Sequence, residues 1–83
     1  MNLDQEVLTL LDATLGLHGR TATFTDDTPL LGSLPELDSM AVVGLITALE
    51  EQFGMTVDDD EISGATFATV GTLKTFVRAK LYG

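Results

Sequence analysis

Three groups of residues in this 83-residue chain carry side chains that could do chemistry. The first is Asp38-Ser39, just ahead of the apolar run Met40-Ala41-Val42-Val43-Gly44-Leu45-Ile46. A helix starting there leaves backbone N–H groups unpaired and carries a partial positive charge at its first turn. A serine at that point has two readings. It can cap the helix, or its hydroxyl can carry a phosphate-bearing group that the helix N-terminus stabilises. The second group is the acidic run Asp58-Asp59-Asp60-Glu61. Counted from Asp59, the oxygen ligands Asp59, Glu61 and Ser63 fall at loop positions one, three and five, with Gly64 at six, as in an EF-hand. The twelfth position must supply a bidentate glutamate, and it is Val70. No metal site is expected, and the run reads as a solvated helix start. The third is His18, the single histidine. It falls just past a helix end and reads as a partly exposed capping residue.

Catalysis by these groups finds little support. A serine nucleophile needs a base within hydrogen-bond reach and a third group to orient that base. One loop histidine does not provide this, and Gly32-Ser33-Leu34-Pro35 does not fit a Gly-x-Ser-x-Gly elbow. The chain has no cysteine, so no thiolate nucleophile, disulfide or thiolate metal site is available. Neither Gly-x-x-x-x-Gly-Lys-Ser/Thr nor Gly-x-Gly-x-x-Gly occurs. No catalytic residue is assigned.

The elements that must position Ser39 are helical. Leu3, Val7, Leu8, Leu11 and Leu15 predict a helix over 3–16, with Leu10 on its flank and Gly16 as its stop. Val42, Leu45, Ile46, Leu49 and Phe53 form the stripe of a central helix over 38–53, with Asp38 or Ser39 as cap and Gly54 as stop. Val70, Leu73, Phe76, Val77 and Leu81 predict a last helix over 70–82, capped by Thr69. Lys74, Arg78 and Lys80 suit the C-terminal end of its dipole. Between the first two helices, residues 17–37 show no period. Phe24, Leu30, Leu31 and Leu34 are the expected anchors to the core, and Asp27-Thr28-Pro29-Leu30 the expected turn. In the second connection, 55–69, a helical turn near Asp58–Glu61 and inward-facing Ile62 and Phe67 are expected. The prediction is a single all-α domain over 1–83, a small bundle of three main helices plus one short helix.

Charge narrows the partners. The net charge is −9, and residues 1–73 hold all 13 acids with one base, Arg20. Such a surface repels nucleic acid and anionic membranes and suits partners with basic docking patches. No apolar run approaches a membrane span, and Met1-Asn2-Leu3-Asp4 lacks the basic region of a signal peptide. A cytoplasmic monomer is the expectation.

The stretch Leu37-Asp38-Ser39-Met40, with a helix closing on Ala48-Leu49-Glu50-Glu51-Gln52-Phe53-Gly54, resembles the acyl carrier protein family. That family's pattern is Asp-Ser-Leu, then a helix ending Leu-Glu-Glu-x-Phe. Thr69-Val70-Gly71-Thr72-Leu73 is similar to its Thr-Val-x-x-Leu opening of the last helix. The resemblance covers almost the whole chain. It implies a carrier, not an enzyme. Ser39 would hold 4′-phosphopantetheine through a phosphodiester, installed from coenzyme A by a separate phosphopantetheinyl transferase, with Asp38 supporting the installation. The arm's thiol would hold acyl or aminoacyl groups as thioesters, which suits a chain without cysteine. The partners implied are that transferase, an acyl- or aminoacyl-loading ligase, and a downstream acyltransferase or synthase. Partner docking would fall on Met40, Val43, Gly44 and Thr47. Val42, Leu45, Ile46, Leu49, Val70, Leu73 and Val77 would form the core that opens for an acyl chain. Two departures stand out. Met40 replaces the family's leucine, and Met40-Ala41-Val42-Val43-Gly44 lacks the acids that carriers of primary fatty acid synthesis place on this face. A specialised carrier is the reading that follows. An aminoacyl or peptidyl carrier, or an unmodified helical interaction module of the same fold, are its alternatives.

Overall fold

Aliphatic residues every third or fourth position produce three helices that share one core. The computed structural model describes residues 3–82 and, for Asp59, the backbone alone. Helix α1 spans Leu3–Leu15, α2 Ser39–Phe53 and α3 Val70–Tyr82. Val7, Leu11 and Leu15 of α1 meet Leu45, Ile46 and Leu49 of α2 and Val70, Leu73 and Val77 of α3 in a single buried cluster. Leu3, Leu8, Leu10, Phe53, Phe76 and Leu81 pack half-buried around it. Gly54 ends α2 in the left-handed region at φ 66°, and its N–H returns to the Glu50 carbonyl. At the other connection, Thr69 and Thr72 cap α3 reciprocally. The Thr72 amide donates to Thr69 Oγ1 at 3.2 Å, and the Thr69 amide to Thr72 Oγ1 at 3.0 Å. Among the described residues no helix is long and apolar enough to cross a membrane.

The short helix expected near residue 60 is one 3-10 turn, Asp59–Glu61, and a second 3-10 turn, Arg20–Thr23, sits in the first connection. The side chain of Asp59, first position of the loop weighed as an EF-hand, lies outside the described residues.

The long first connection is pinned along its length. Its anchors are those expected except at Leu31. Leu30 is buried, and Phe24 and Leu34 are half-buried, but Leu31 is 42% exposed. Leu17 and Leu37, which had no period to reveal them, are in the core. The turn falls at Thr25–Thr28, closed by the Thr28 amide on the Thr25 carbonyl at 3.1 Å, rather than at 27–30. Asp12 of α1 is a tether: its Oδ2 accepts from the Gly19 amide at 2.9 Å and from Thr21 Oγ1 at 3.0 Å. Beyond the turn the chain runs antiparallel to the segment entering α3, bridged at Pro29 and Thr69. Leu30 and Leu31 donate to the Ala68 and Phe67 carbonyls, both at 2.9 Å. Val70 and Gly71 donate to the Thr28 and Asp26 carbonyls at 3.0 and 2.8 Å.

Gly71 makes that approach possible. A Cβ there would sit 3.0 Å from the Asp26 carbonyl oxygen and 3.2 Å from its Cβ. Gly71→Ala gains up to about 1 kcal/mol of helix preference, while forcing the two backbones apart costs about 1–3 kcal/mol. The expected sum is a loss of about 1 kcal/mol, read as a lower urea midpoint. A higher midpoint would show that the contact yields freely.

All four basic residues of the chain hold an acid from another segment. Lys74 meets Asp26 at 2.9 Å, Arg78 meets Asp4 at 2.8 Å, Lys80 meets Glu61 at 2.8 Å, and Arg20 meets Glu36. The three cations of α3 thus serve as ties to other elements beyond the helix-dipole role expected of them. Lys80, with the Asp58 amide, holds the Glu61 carboxyl below its usual 4.5, and the backbone N–H of Glu36 with Arg20 does the same for Glu36. A lowered folded pKa contributes stability above pH 4.5 that is lost as the pH falls through the folded value. Lys80→Ala should therefore have a lower Tm than the native chain at pH 7. That gap should narrow steadily below pH 4.5, and a gap independent of pH would contradict the pairing.

Candidate functional site

Ser39 is the first helical residue of α2, and Asp38 is its cap. Asp38 is extended, at φ −102° and ψ −175°, and its Oδ1 accepts from the Ala41 amide at 2.8 Å. Its carbonyl takes the first helical bond, from the Val42 amide at 2.9 Å. Of the two candidates for the cap, the structure selects the aspartate. The Ser39 hydroxyl is left exposed, with no hydrogen bond to protein among the described residues. The amides of Ser39 and Met40 likewise have no protein partner there. An exposed nucleophilic oxygen beside two open first-turn amides fits a phosphodiester, which helix N-termini stabilise through those donors.

The segment entering the site is fixed from both sides. Leu37 is 4% exposed and lies in the core, directly before Asp38. Its amide donates to the Leu34 carbonyl at 3.0 Å, and the Leu34 amide to the Leu30 carbonyl at 2.9 Å. Glu36 is tied to Arg20 of the first 3-10 turn. After Ser39, Leu45, Ile46 and Leu49 anchor α2 in the core. The serine therefore projects from a braced helix start.

The residues expected to meet partners lie on one exposed stripe of α2. Met40 is 79% and Val43 60% exposed, and Gly44 and Thr47 are exposed beside them. Thr47 Oγ1 donates to the Val43 carbonyl at 3.0 Å, so its hydroxyl is used within the helix. The residues expected to form the core that opens for an acyl chain lie in the buried cluster or pack against it. Leu45, Leu49, Val70, Leu73 and Val77 are fully buried, Ile46 nearly so, and Val42 is half-buried. A groove of about 420 Å³ lies between α1 and α2, among Leu10, Ala13, Ala48 and Glu51, and none of that stripe lines it.

His18 is exposed, at φ 55°, in the turn after α1, and its ring makes no hydrogen bond among the described residues, so the capping role expected of it is not seen. Glu61 of the acidic run is engaged by Lys80 and the Asp58 amide. Sequence reasoning missed Arg20–Glu36, Asp12 and the second role of Glu50, whose Oε2 accepts from the Val57 amide at 2.9 Å. Each depends on a partner seven or more positions away, beyond the reach of helical periodicity.

The fold and site define a class: a small all-α bundle presenting an exposed serine at the start of its central helix. A family model described as the phosphopantetheine attachment site matches residues 5–77. The chain is also similar, at 52% identity over the full length of both chains and a TM-score of 0.90, to a holo acyl carrier protein from Nitrosomonas europaea solved by solution NMR. No curated protein matches it in sequence. The chain belongs to the acyl carrier protein family, whose members tether acyl intermediates on covalently bound 4′-phosphopantetheine and act as carriers rather than catalysts.

Cap and charge at Asp38 can be separated. Asp38→Ala removes the cap and should cost about 1 kcal/mol, whereas Asp38→Asn caps about as well and should leave Tm nearly unchanged. If the carboxylate also supports arm installation, Asp38→Asn slows transfer to a chain of native stability. Native transfer rates for Asp38→Asn would confine Asp38 to capping.

Proposed function

We propose that Ser39 is the attachment residue and that residues 1–83 act as one carrier domain. The observation that carries this reading is the division of labour at the helix start: Asp38 caps, and the Ser39 hydroxyl stays exposed, without a partner among the described residues. A phosphopantetheinyl transferase uses this chain as substrate. The Ser39 oxygen attacks the β-phosphorus of coenzyme A, a phosphodiester forms, adenosine 3′,5′-bisphosphate leaves, and the serine proton passes to a base of the transferase. The arm then supplies the thiol that the chain lacks. This reading puts the chain in a compartment that supplies coenzyme A, such as the cytoplasm.

The further partners are an acyl-loading ligase and an acyltransferase or synthase that receives the cargo. Val42, Leu45, Ile46, Leu49, Val70, Leu73 and Val77 form the apolar interior into which an acyl chain is drawn when the helices part. The uncharged first turns of α2 favour a specialised carrier over one of bulk fatty acid synthesis. Incubation of the purified protein with coenzyme A and a broad-specificity transferase tests the reading by intact mass. The expected result is a gain of one phosphopantetheinyl group. No gain, under conditions that load a control carrier, would sink it.

A further inference from the structure

One of the ion pairs leads to the site. Arg20 is the only base among residues 1–73, and it holds Glu36, three positions before Ser39. The arginine end of this pair is anchored. Arg20 Nε donates at 3.2 Å to the carbonyl of Leu17, a core residue. On either side of Arg20, the Gly19 amide and the hydroxyl of buried Thr21 donate to the same carboxylate oxygen of Asp12 in α1. The backbone that carries the guanidinium is thus tied to α1 and to the core, and it is Glu36 that must come to the cation.

Glu36 depends on that cation to stay where it is. Its Oε2 takes the Arg20 Nη2 donor, while its Oε1 is shut off from water and accepts no hydrogen bond among the described residues. A carboxylate oxygen in that position is costly unless a neighbouring cation offsets it. Without Arg20 the carboxylate gains by turning out to water. Pro35 on one side has a fixed φ, and Leu37 on the other is held in the core. The movement is therefore taken up in the short backbone that leads into Asp38, whose extended conformation sets where α2 begins.

We propose that Arg20 and Glu36 are positioning residues for arm installation: their tie fixes the backbone entering Asp38, and so the direction in which the Ser39 oxygen meets the phosphorus of coenzyme A. Both act through Ser39 and neither touches the reacting atoms. The tie governs aim rather than docking, because the exposed face of α2 is held by its own core contacts at Leu45, Ile46 and Leu49. Misplacing a reacting group by about 1 Å costs up to about a hundredfold in rate. This inference rests on the carrier reading of Ser39 and adds to it the residues that orient the serine.

The test uses the intact protein, coenzyme A and a broad-specificity phosphopantetheinyl transferase. Arg20→Ala and Glu36→Ala should each lower kcat about tenfold with KM for the carrier within about twofold. The double variant should be no slower than either alone, because both act through one tie. Arg78→Ala is the control. It breaks the Arg78–Asp4 pair, which is similarly exposed but belongs to other segments, and should leave kcat within about twofold. A second readout needs no transferase. The Ala41 and Val42 amides bond to Asp38 and report on the helix start. Their hydrogen exchange should quicken about tenfold in Arg20→Ala or Glu36→Ala and stay native in Arg78→Ala. Either substitution breaks the tie, so one folded variant suffices for this readout. Native kcat or native exchange in the tie variants would overturn the proposal. A raised KM with native kcat would also do so, since the charges would then meet the transferase directly. Losses that multiply to about a hundredfold in the double variant, or an equal loss in Arg78→Ala, would count against it in the same way. If the native protein takes up no arm, the Ser39 reading fails and this inference falls with it. Normal native loading with unaffected variants removes this inference alone.

Discussion

Ser39→Ala is expected to fold like the native chain and to accept no phosphopantetheine. The first half of that expectation follows from the cap. Removing a true serine cap costs about 1 kcal/mol, but the N3 amide at Ala41 is already held by Asp38 at 2.8 Å. The Ser39 hydroxyl is exposed and has no hydrogen bond to lose among the described residues. The change in stability should stay within about 0.5 kcal/mol, the range of ordinary surface substitutions. The second half follows from the chemistry. Without the hydroxyl there is no oxygen to attack the phosphorus, and the methyl offers no substitute. Loss of arm transfer should therefore be complete, not partial. Intact mass and a urea titration, run on the same sample, read the two halves separately. A loaded Ser39→Ala protein would move the attachment elsewhere. An unfolded one would make Ser39 a structural residue and undo the division of labour with Asp38.

Phe67→Ala should cost about 3–5 kcal/mol, the range for removing a fully buried phenylalanine. Phe67 is 1% exposed and is the largest of the fully buried side chains. It lies in the second connection, not on a helix. Its carbonyl also accepts from the Leu31 amide at 2.9 Å, within the paired segments that lead into α3. A domain of this length has a total stability of about 4–12 kcal/mol at roughly 0.05–0.15 kcal/mol per residue. The substitution thus removes a large share, and the urea midpoint should fall steeply with little change in slope. Leu31→Ala is the control. Leu31 is 42% exposed, so its truncation should cost only about 1 kcal/mol. Equal losses at the two positions would contradict the burial pattern.

The helices and their inner faces were legible in the sequence, because a helix repeats every 3.6 residues and its apolar stripe records the core. The stripes Val7–Leu11–Leu15, Leu45–Ile46–Leu49 and Val70–Leu73–Val77 are all buried as their spacing predicts. The resemblance at Leu37-Asp38-Ser39-Met40 and Thr69-Val70-Gly71-Thr72-Leu73 led to the family, which the matched family model and the similar holo structure bear out. The connections were much less legible. An irregular segment has no period, so composition points to Leu31 as readily as to Leu30, and only the pairing of 26–31 with 67–71 decides which one turns inward.

At the helix start, sequence alone determined that a phosphate-bearing serine and a capping serine were both possible at Asp38-Ser39, since both residue types cap helices well. Tertiary structure decided which of the two residues caps. Leu37 is buried in the core, and Asp38 is extended at the boundary, with its carboxylate on the Ala41 amide. The chain direction set there leaves Ser39 as the first helical residue, with its hydroxyl facing solvent. Which of two adjacent side chains reaches the amide depends on where the helix begins, and that boundary is set by the buried residue before it and the core contacts after it, a three-dimensional condition that no local pattern contains.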